Sequence, residues 1–322
     1  MNVSRIRLAH LPTAIEPLPN LSAALGGPQI FVKRDDQTGV AFGGNKLRKL
    51  EFVLAEAMAH GARTLITVGA AQSNHCRQTA ALAARLGLGC ILVLSGQPPQ
   101  QADGNFLLDQ LFGAEVVWTT RAEREQTLQS VFERAWAEGR RPHLIPLGAS
   151  TPIGTLGYAM AFEEFLMQGM PMDTMVVASS SGGTQAGLVL GAKRSGWRGR
   201  VLGISIDHSR LELAEKVAEL ANQAAERMDE ALPRVTAQDV WVEDGFLGAG
   251  YGVLGAPEIE AIRLFAKHEG LLLDPVYTGR AAAGLISLIR AGTFRRDESV
   301  LFWHTGGTPA LFASVYAAQL QE

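Results

Sequence analysis

Short apolar runs rich in β-branched residues alternate with Ala- and Leu-rich stretches through nearly the whole 322-residue chain. The runs "IFVKRD" (30–35), "TLITVG" (64–69), "CILVLS" (90–95), "AEVVWTT" (114–120) and "HLIPLG" (143–148) read as strands. So do "TMVVASSS" (174–181), "RVLGISI" (200–206), "DVWVE" (239–243) and "VLFWHT" (300–305). Helices are expected over about 46–60, 73–86, 103–112, 121–138 and 152–168. Alternation of this kind predicts an α/β fold with parallel sheets covered by helices on both faces. In such sheets ligands sit at the carboxyl ends of the strands, where the chain turns into the next helix.

Four of those turns are rich in glycine or hydroxyl residues: "FGGNK" (42–46), "GAAQSNHCRQ" (69–78), "SSSGGTQAG" (179–187) and "HTGGTPA" (304–310). One is commonplace; four together imply a composite site. Its ligand is not expected to be nucleic acid, because a net charge of −3 supplies no basic field. No apolar run approaches the roughly 20 residues that span a bilayer, and the N-terminal stretch lacks the apolar segment of a secretory signal. Cys76 and Cys90 have neither metal nor redox spacing. A cytoplasmic protein acting on a small molecule is the expectation.

"SSSGGTQAG" follows a strand and opens a helix. Backbone N–H groups in such a turn, with hydroxyls and a helix N-terminus behind them, suit a phosphate dianion. The loop lacks the Lys-Ser/Thr pair of a Walker A motif and is not G-x-G-x-x-G, which points to a small phosphorylated cofactor rather than a nucleotide. Pyridoxal phosphate needs such a loop and a lysine to hold its aldehyde as a Schiff base. Lys46, just after Gly43-Gly44-Asn45, is the candidate, since a helix N-terminus and desolvation both favour a neutral, nucleophilic amine. Read locally, Lys46 is better explained as a solvated surface charge, as most helical lysines are, with Lys49 close by. Ser73 and Asn74 read either as helix caps or as groups facing a substrate carboxylate and a phenolic oxygen.

The segments "KRDDQTGVAFGGNKLRKLEF", "GAAQSNHCRQTAALAARLGL", "SGGTQAG", "LLLDPVYTG" and "HTGGTPALF" together resemble the aminocyclopropane-carboxylate deaminase/D-cysteine desulfhydrase family, in order and spacing from about residue 8 to 316. The resemblance implies the tryptophan-synthase-β-like fold, with two open α/β lobes and pyridoxal phosphate in the cleft. It implies a larger lobe of 1–47 plus 161–322 and a smaller inserted lobe of 48–160. By that resemblance Lys46 is the Schiff-base lysine, Asn74 the partner of the cofactor's O3′, and Ser181, Gly182, Gly183 and Thr184 its phosphate cradle. Tyr251 and Tyr277 match the family's two active-site tyrosines, and a homodimer is implied.

Where the deaminases follow the second tyrosine with glutamate, this chain has Thr278. Thr305, the other residue expected near the pyridine nitrogen, is also a neutral hydroxyl. A ring nitrogen left largely unprotonated is a weaker electron sink, which favours β-elimination over cyclopropane opening. The expected substrate is a cysteine-type amino acid: D-cysteine, losing sulfide, or L-cysteate, losing sulfite. Lys46, or Ser73 with a tyrosine, is the expected base for the α-proton, and a tyrosine the acid. His75 and Arg77 are candidates for a sulfonate; Arg77 reads equally as a partner for Asp35 or Asp36. His304 reads as a ligand contact or a structural histidine. No metal spacing is present.

Overall fold

The computed structural model describes residues 3–228 and 232–321; positions 1 and 322, the expected outer limits of the larger lobe, lie outside them. β1 (Ile15–Pro17), α1 (Pro19–Leu25) and β2 (Gln29–Lys33) lead to α2 (Asn45–Ala59). Next come β3 (Thr64–Ala70), α3 (Asn74–Leu86), β4 (Gly89–Ser95), α4 (Gly104–Leu111), β5 (Glu115–Thr119), α5 (Arg124–Ala137) and β6 (Pro142–Ile145). The chain continues through α6 (Pro152–Met167), β7 (Thr174–Ser179), α7 (Gly183–Ser195), β8 (Arg200–Ser205), α8 (Arg210–Glu226) and β9 (Trp241–Glu243). It closes with α9 (Ala256–Glu269), α10 (Thr278–Arg290), β10 (Ser299–Trp303) and α11 (Ser314–Gln321).

Two sheets result, one of six strands in the order β1-β2-β10-β7-β8-β9 and one of four in the order β5-β4-β3-β6. Every pairing is parallel except β1 on β2 at the edge of the larger sheet. Strands covered on both faces need apolar residues at successive positions rather than alternate ones. β7 meets that condition, with all six residues of "TMVVAS" buried. The expected strand at 143–148 stops at Ile145, because Pro146 has no N–H to continue a ladder and residues 147–149 form a 3₁₀ turn.

The expected lobe limits at 47/48 and 160/161 fall inside α2 and α6, two continuous helices that pack on each other. The chain therefore passes between the sheets along helices. α6 turns Leu156, Tyr158 and Phe162 into a core shared with α7 and α8, against the larger sheet. α2 turns Leu47, Leu50 and Leu54 into the core of the smaller one.

A buried carboxylate fixes this crossing. Asp35 is fully buried just beyond β2. Its two oxygens accept from Arg48 Nε and Nη2, both at 2.8 Å, from the Thr13 hydroxyl, from Tyr158 OH at 2.6 Å and from Trp303 Nε1 at 2.8 Å. Burial alone would raise its pKa, but the Arg48 charge and these donors hold it below the usual carboxylate range. Arg48 continues to Glu164, whose carboxylate also takes the buried Lys33 ammonium. Asp36, by contrast, pairs with Arg34. Removing one partner of such a buried set strands the other charge, so Asp35→Ala is expected to lower stability by about 3–5 kcal/mol in denaturant unfolding.

Candidate active site

Parallel strands of both sheets end on one cavity of about 620 Å³, within the roughly 300–1,000 Å³ of small-molecule sites. The turns after β3, β4 and β5 contribute Ser73, Gln97 and Arg121 from the smaller sheet. The turns after β7 and β10 contribute Ser181 and Thr305 from the larger one. Thus Lys46, Ser73, Asn74, His75, Ser181, Gly182, Thr184, Tyr251, Tyr277 and Thr305, widely separated in sequence, all line the same space.

Lys46 stands in the first turn of α2. Gly44, at the helix N-cap, has φ +124°, and its neighbour Gly43 has φ +61°. A side chain at Gly43 would run into the Asp36 backbone, so the tight approach requires glycine. The Lys46 amine lies 6.0 Å from the centre of the Tyr277 ring. Burial brings its pKa down to about 8, with Asp274 opposing the fall. Roughly a tenth of it is therefore neutral at pH 7, and about half at pH 8, far more than for an ordinary lysine.

Lys49, one turn further, is not the solvated charge its local sequence suggests. It is fully buried, and among the described residues its ammonium donates only to the Ser150 hydroxyl, at 2.8 Å. Burial, then Lys46 and Lys216, push its pKa well down. The Ser150 hydroxyl in turn lies 2.7 Å from that of Ser181 and accepts from the Gly183 N–H. Gly183 begins α7 behind Gly182 at φ +82° and lies just off the cavity surface. A β-carbon added at Gly183 would stand 2.8 Å from both the Lys49 nitrogen and the Ser150 hydroxyl. A buried ammonium without a carboxylate, beside paired hydroxyls and a helix N-terminus, is a fitting seat for a phosphate dianion. Its sequence signal was the Lys-x-x-Lys spacing, since residues three apart share a helix face.

Across the cavity, Asn74 opens α3. Its Oδ1 accepts from Asn105 Nδ2 at 2.8 Å and from Arg77 Nη1 at 3.2 Å, so its amide nitrogen is the end left for a ligand oxygen. Arg77 thus approaches neither Asp35 nor Asp36, which are taken by Arg48 and Arg34; it is buried on Asn74, Asn105 and the Gly43 carbonyl. Ser73 is spent in part as the cap of α3, accepting from Cys76 N at 3.2 Å. His75 bonds Thr67 through Nε2, and burial followed by the Lys46 and Lys49 charges keeps it neutral, with Nδ1 unpartnered.

The Tyr251 and Tyr277 hydroxyls meet at 2.6 Å. Desolvation by the cavity walls pushes Tyr251, itself 39% exposed, up to about 12 and raises Tyr277 well above its ordinary value, so both keep their protons. The loop bearing Tyr251 is clamped by buried Arg280, which donates to Glu258 and to the Val253 and Ile206 carbonyls. Thr278 does not line the cavity. Its hydroxyl donates to Asp274 at 2.8 Å, in a cap at the start of α10 that also receives the Thr278 N–H. Thr305 is the hydroxyl that reaches the cavity wall. His304 is structural, held between the Leu272 carbonyl and the Gly306 N–H. Among the described residues no group of side chains could hold a metal ion, and no helix is long and apolar enough to cross a membrane.

Two open lobes with an amine facing a phosphate seat across their cleft are the architecture of one class of pyridoxal-phosphate enzymes. A family model described as "Pyridoxal-phosphate dependent enzyme" matches residues 6–306. The chain is 42% identical over 318 residues to the D-cysteine desulfhydrase of Salmonella typhi, covering 96% of this chain and 95% of that protein. A crystal structure of an "ACC deaminase homologue" superposes with TM-score 0.90 at 37% identity, covering 99% of this chain and 96% of the other. Tomato threonine deaminase isoform 2 shares the fold, at TM-score 0.68 and 17% identity over 97% of this chain and 83% of that one. The chain belongs to the pyridoxal-phosphate dependent enzymes and, within them, to the aminocyclopropane-carboxylate deaminase/D-cysteine desulfhydrase family.

Two outcomes are expected of the cofactor-free protein. Capture of pyridoxal phosphate, read from the growth of visible absorption, should quicken as pH rises and level off above a midpoint of about 8, because only neutral Lys46 reacts. Lys49→Met should weaken equilibrium cofactor binding by about tenfold or more in fluorescence titration, the loss of a charge-assisted contact.

Proposed function

We propose that this chain catalyses β-elimination on D-cysteine, yielding pyruvate, ammonia and sulfide. The observation that carries the proposal is an amine with its pKa lowered to about 8 sharing one cavity with two phenols that stay protonated, a base and an acid for one substrate. Support also comes from relatives in Salmonella typhi and Klebsiella pneumoniae named D-cysteine desulfhydrase, each 42% identical to this chain.

Lys46, Asn74, Ser181, Gly182, Gly183, Thr184 and Thr305 would hold the cofactor, with Lys49 added on charge grounds. Bound pyridoxal phosphate supplies the electron withdrawal that acidifies the substrate's α-hydrogen. The N-terminus of α3, with Ser73 and Asn74, orients the substrate carboxylate by its unpaired N–H groups. The Lys46 amine accepts the α-proton. As the Cβ–S bond breaks, its electron pair leaves on sulfur, and the Tyr251–Tyr277 pair supplies a proton. Water then hydrolyses the released enamine to pyruvate and ammonia. Asp207, which accepts from Ser180, is the single carboxylate lining the cavity among the described residues. Thr305 would offer the pyridine nitrogen a hydroxyl rather than a carboxylate, a setting that would suit expulsion of a good β-leaving group better than opening of a cyclopropane. The proposal includes a cytoplasmic homodimer, checked by light scattering.

Purified yellow protein should form equal amounts of pyruvate and sulfide from D-cysteine. Tyr277→Phe should lower kcat by about 10²–10⁴-fold, as expected for loss of a general acid, while Lys46→Ala should abolish both turnover and visible absorption. Colour without pyruvate from any β-substituted amino acid would sink the proposal in favour of a non-catalytic binder.

A further inference from the structure

Asp109 is a fully buried carboxyl on α4, and neither of its oxygens has a hydrogen-bond partner among the described residues. Buried polar groups are as a rule paired, so two orphaned oxygens on one carboxyl call for a reason. Asp109 stands one turn beyond Asn105 on the same face of α4, because residues four apart on a helix are neighbours. Asn105 accepts from Arg77 Nη1 at 2.9 Å and donates to Asn74 Oδ1 at 2.8 Å. Arg77 Nε is buried and unpartnered too. Asp109, Asn105 and Arg77 are not part of the cavity wall; they form the layer behind Asn74.

The other titratable groups beside Asp109 are the thiols of Cys76 on α3 and Cys90 on β4. Burial, then the Asp109 charge, raises Cys90 to about 12 and Cys76 well above the ordinary thiol range, so both stay neutral. Arg77 is left as the one charge acting on Asp109; burial lowers it to about 10, which keeps it cationic at neutral pH. Desolvation raises Asp109 to about 8 against the pull of Arg77. Among the described residues no ion pair joins the two, since the Arg77 Nη1 and Nη2 donors go to Asn74, Asn105 and the Gly43 carbonyl. A neutral Asp109 leaves the guanidinium there. A desolvated carboxylate facing a single cation draws that cation toward itself. Each donor it takes is lost to Asn74 or to the turn before Lys46.

We propose that Asp109 is a positioning residue that acts through Arg77 on Asn74: its neutral carboxyl lets Arg77 hold the Asn74 amide toward the cofactor's phenolic oxygen, and its carboxylate form draws Arg77 off and loosens that contact. The proposal rests on Asn74 as a cofactor contact and is independent of which amino acid is turned over.

The test follows release of pyridoxal phosphate from the loaded, full-length enzyme on dilution, with Kd taken from the visible band that remains. Asp109→Asn keeps the size and the neutral state of the protonated carboxyl. The ratio of wild-type Kd to D109N Kd cancels titrations common to both proteins. That ratio should rise about fivefold or more between pH 7 and pH 9, the loss of a charge-assisted contact as Asp109 ionises in the wild type alone. A ratio equal at the two pH values is what a merely structural carboxyl gives, and it overturns the proposal. In an Asn74→Ala background the rise should vanish; a rise that persists there places the effect elsewhere and overturns it as well. Asn74→Ala that binds the cofactor as tightly as the wild type removes the premise, a failure distinct from that of Asp109. Should D109N not fold, infrared spectroscopy of the loaded wild type decides. A protonated-carboxyl stretch lost near pH 8 in step with a change in the visible band supports the proposal; absence of that stretch at pH 7, or its loss with no change in the band, overturns it.

Discussion

The bidentate pair between Asp35 and Arg48 is the constraint on which the rest of the architecture hangs. It ties the end of β2 to α2, and through Tyr158 and Trp303 to α6 and β10. Arg48 and Lys46 are two residues apart on one helix and therefore project to opposite sides. Anchoring Arg48 on the Asp35–Glu164 side turns Lys46 into the cavity and Lys49 onto the Ser150 hydroxyl behind its wall. The position of the reactive amine is thus set by a salt bridge on the far face of its own helix.

Apart from Arg77, which neutral acceptors hold, the buried and half-buried cations named above fall into two groups. Lys33, Arg48 and Arg280 are matched by Glu164, Asp35 and Glu258, and their role is to hold elements together. Lys46 and Lys49 have no carboxylate within salt-bridge distance among the described residues, although the second is wholly buried. Desolvating an ammonium without a counter-charge is costly. That cost falls when an anion binds, so the fold carries a standing bias toward its cofactor.

Around these charges a set of multi-donor side chains supplies direction. Arg77 reaches across from α3 to the Gly43 carbonyl and also to Asn74, so one guanidinium ties the turn before Lys46 to the amide opposite it. Gln78 donates to that same carbonyl. Arg280 performs a similar office for the loop bearing Tyr251. In each case a rigid, multi-donor side chain sits one layer behind a group facing the ligand, which limits how far that group can drift.

The alternation of strand and helix, the glycine turn before Lys46 and the loop at 179–187 were legible in sequence because each is a local property: periodicity, a positive φ that only glycine tolerates easily, consecutive N–H donors at a helix start. Family resemblance gathered the scattered residues into one site. What local pattern could not reveal was which of two chemically equal residues faces the cleft. Thr278 opens α10 and Thr305 follows β10, both neutral hydroxyls at the start of a helical turn, yet Thr278 is consumed by Asp274 and Thr305 is not. Lys49 has the composition of a surface lysine and became a buried one only because α6 and α7 close over α2. Arg77 lies in sequence beside Asn74, but its partners were settled by Asp35 having already been filled. Sequence determines the elements and the chemical groups at their ends; burial, and the competition of those groups for a finite set of partners, is a property of the assembled fold alone.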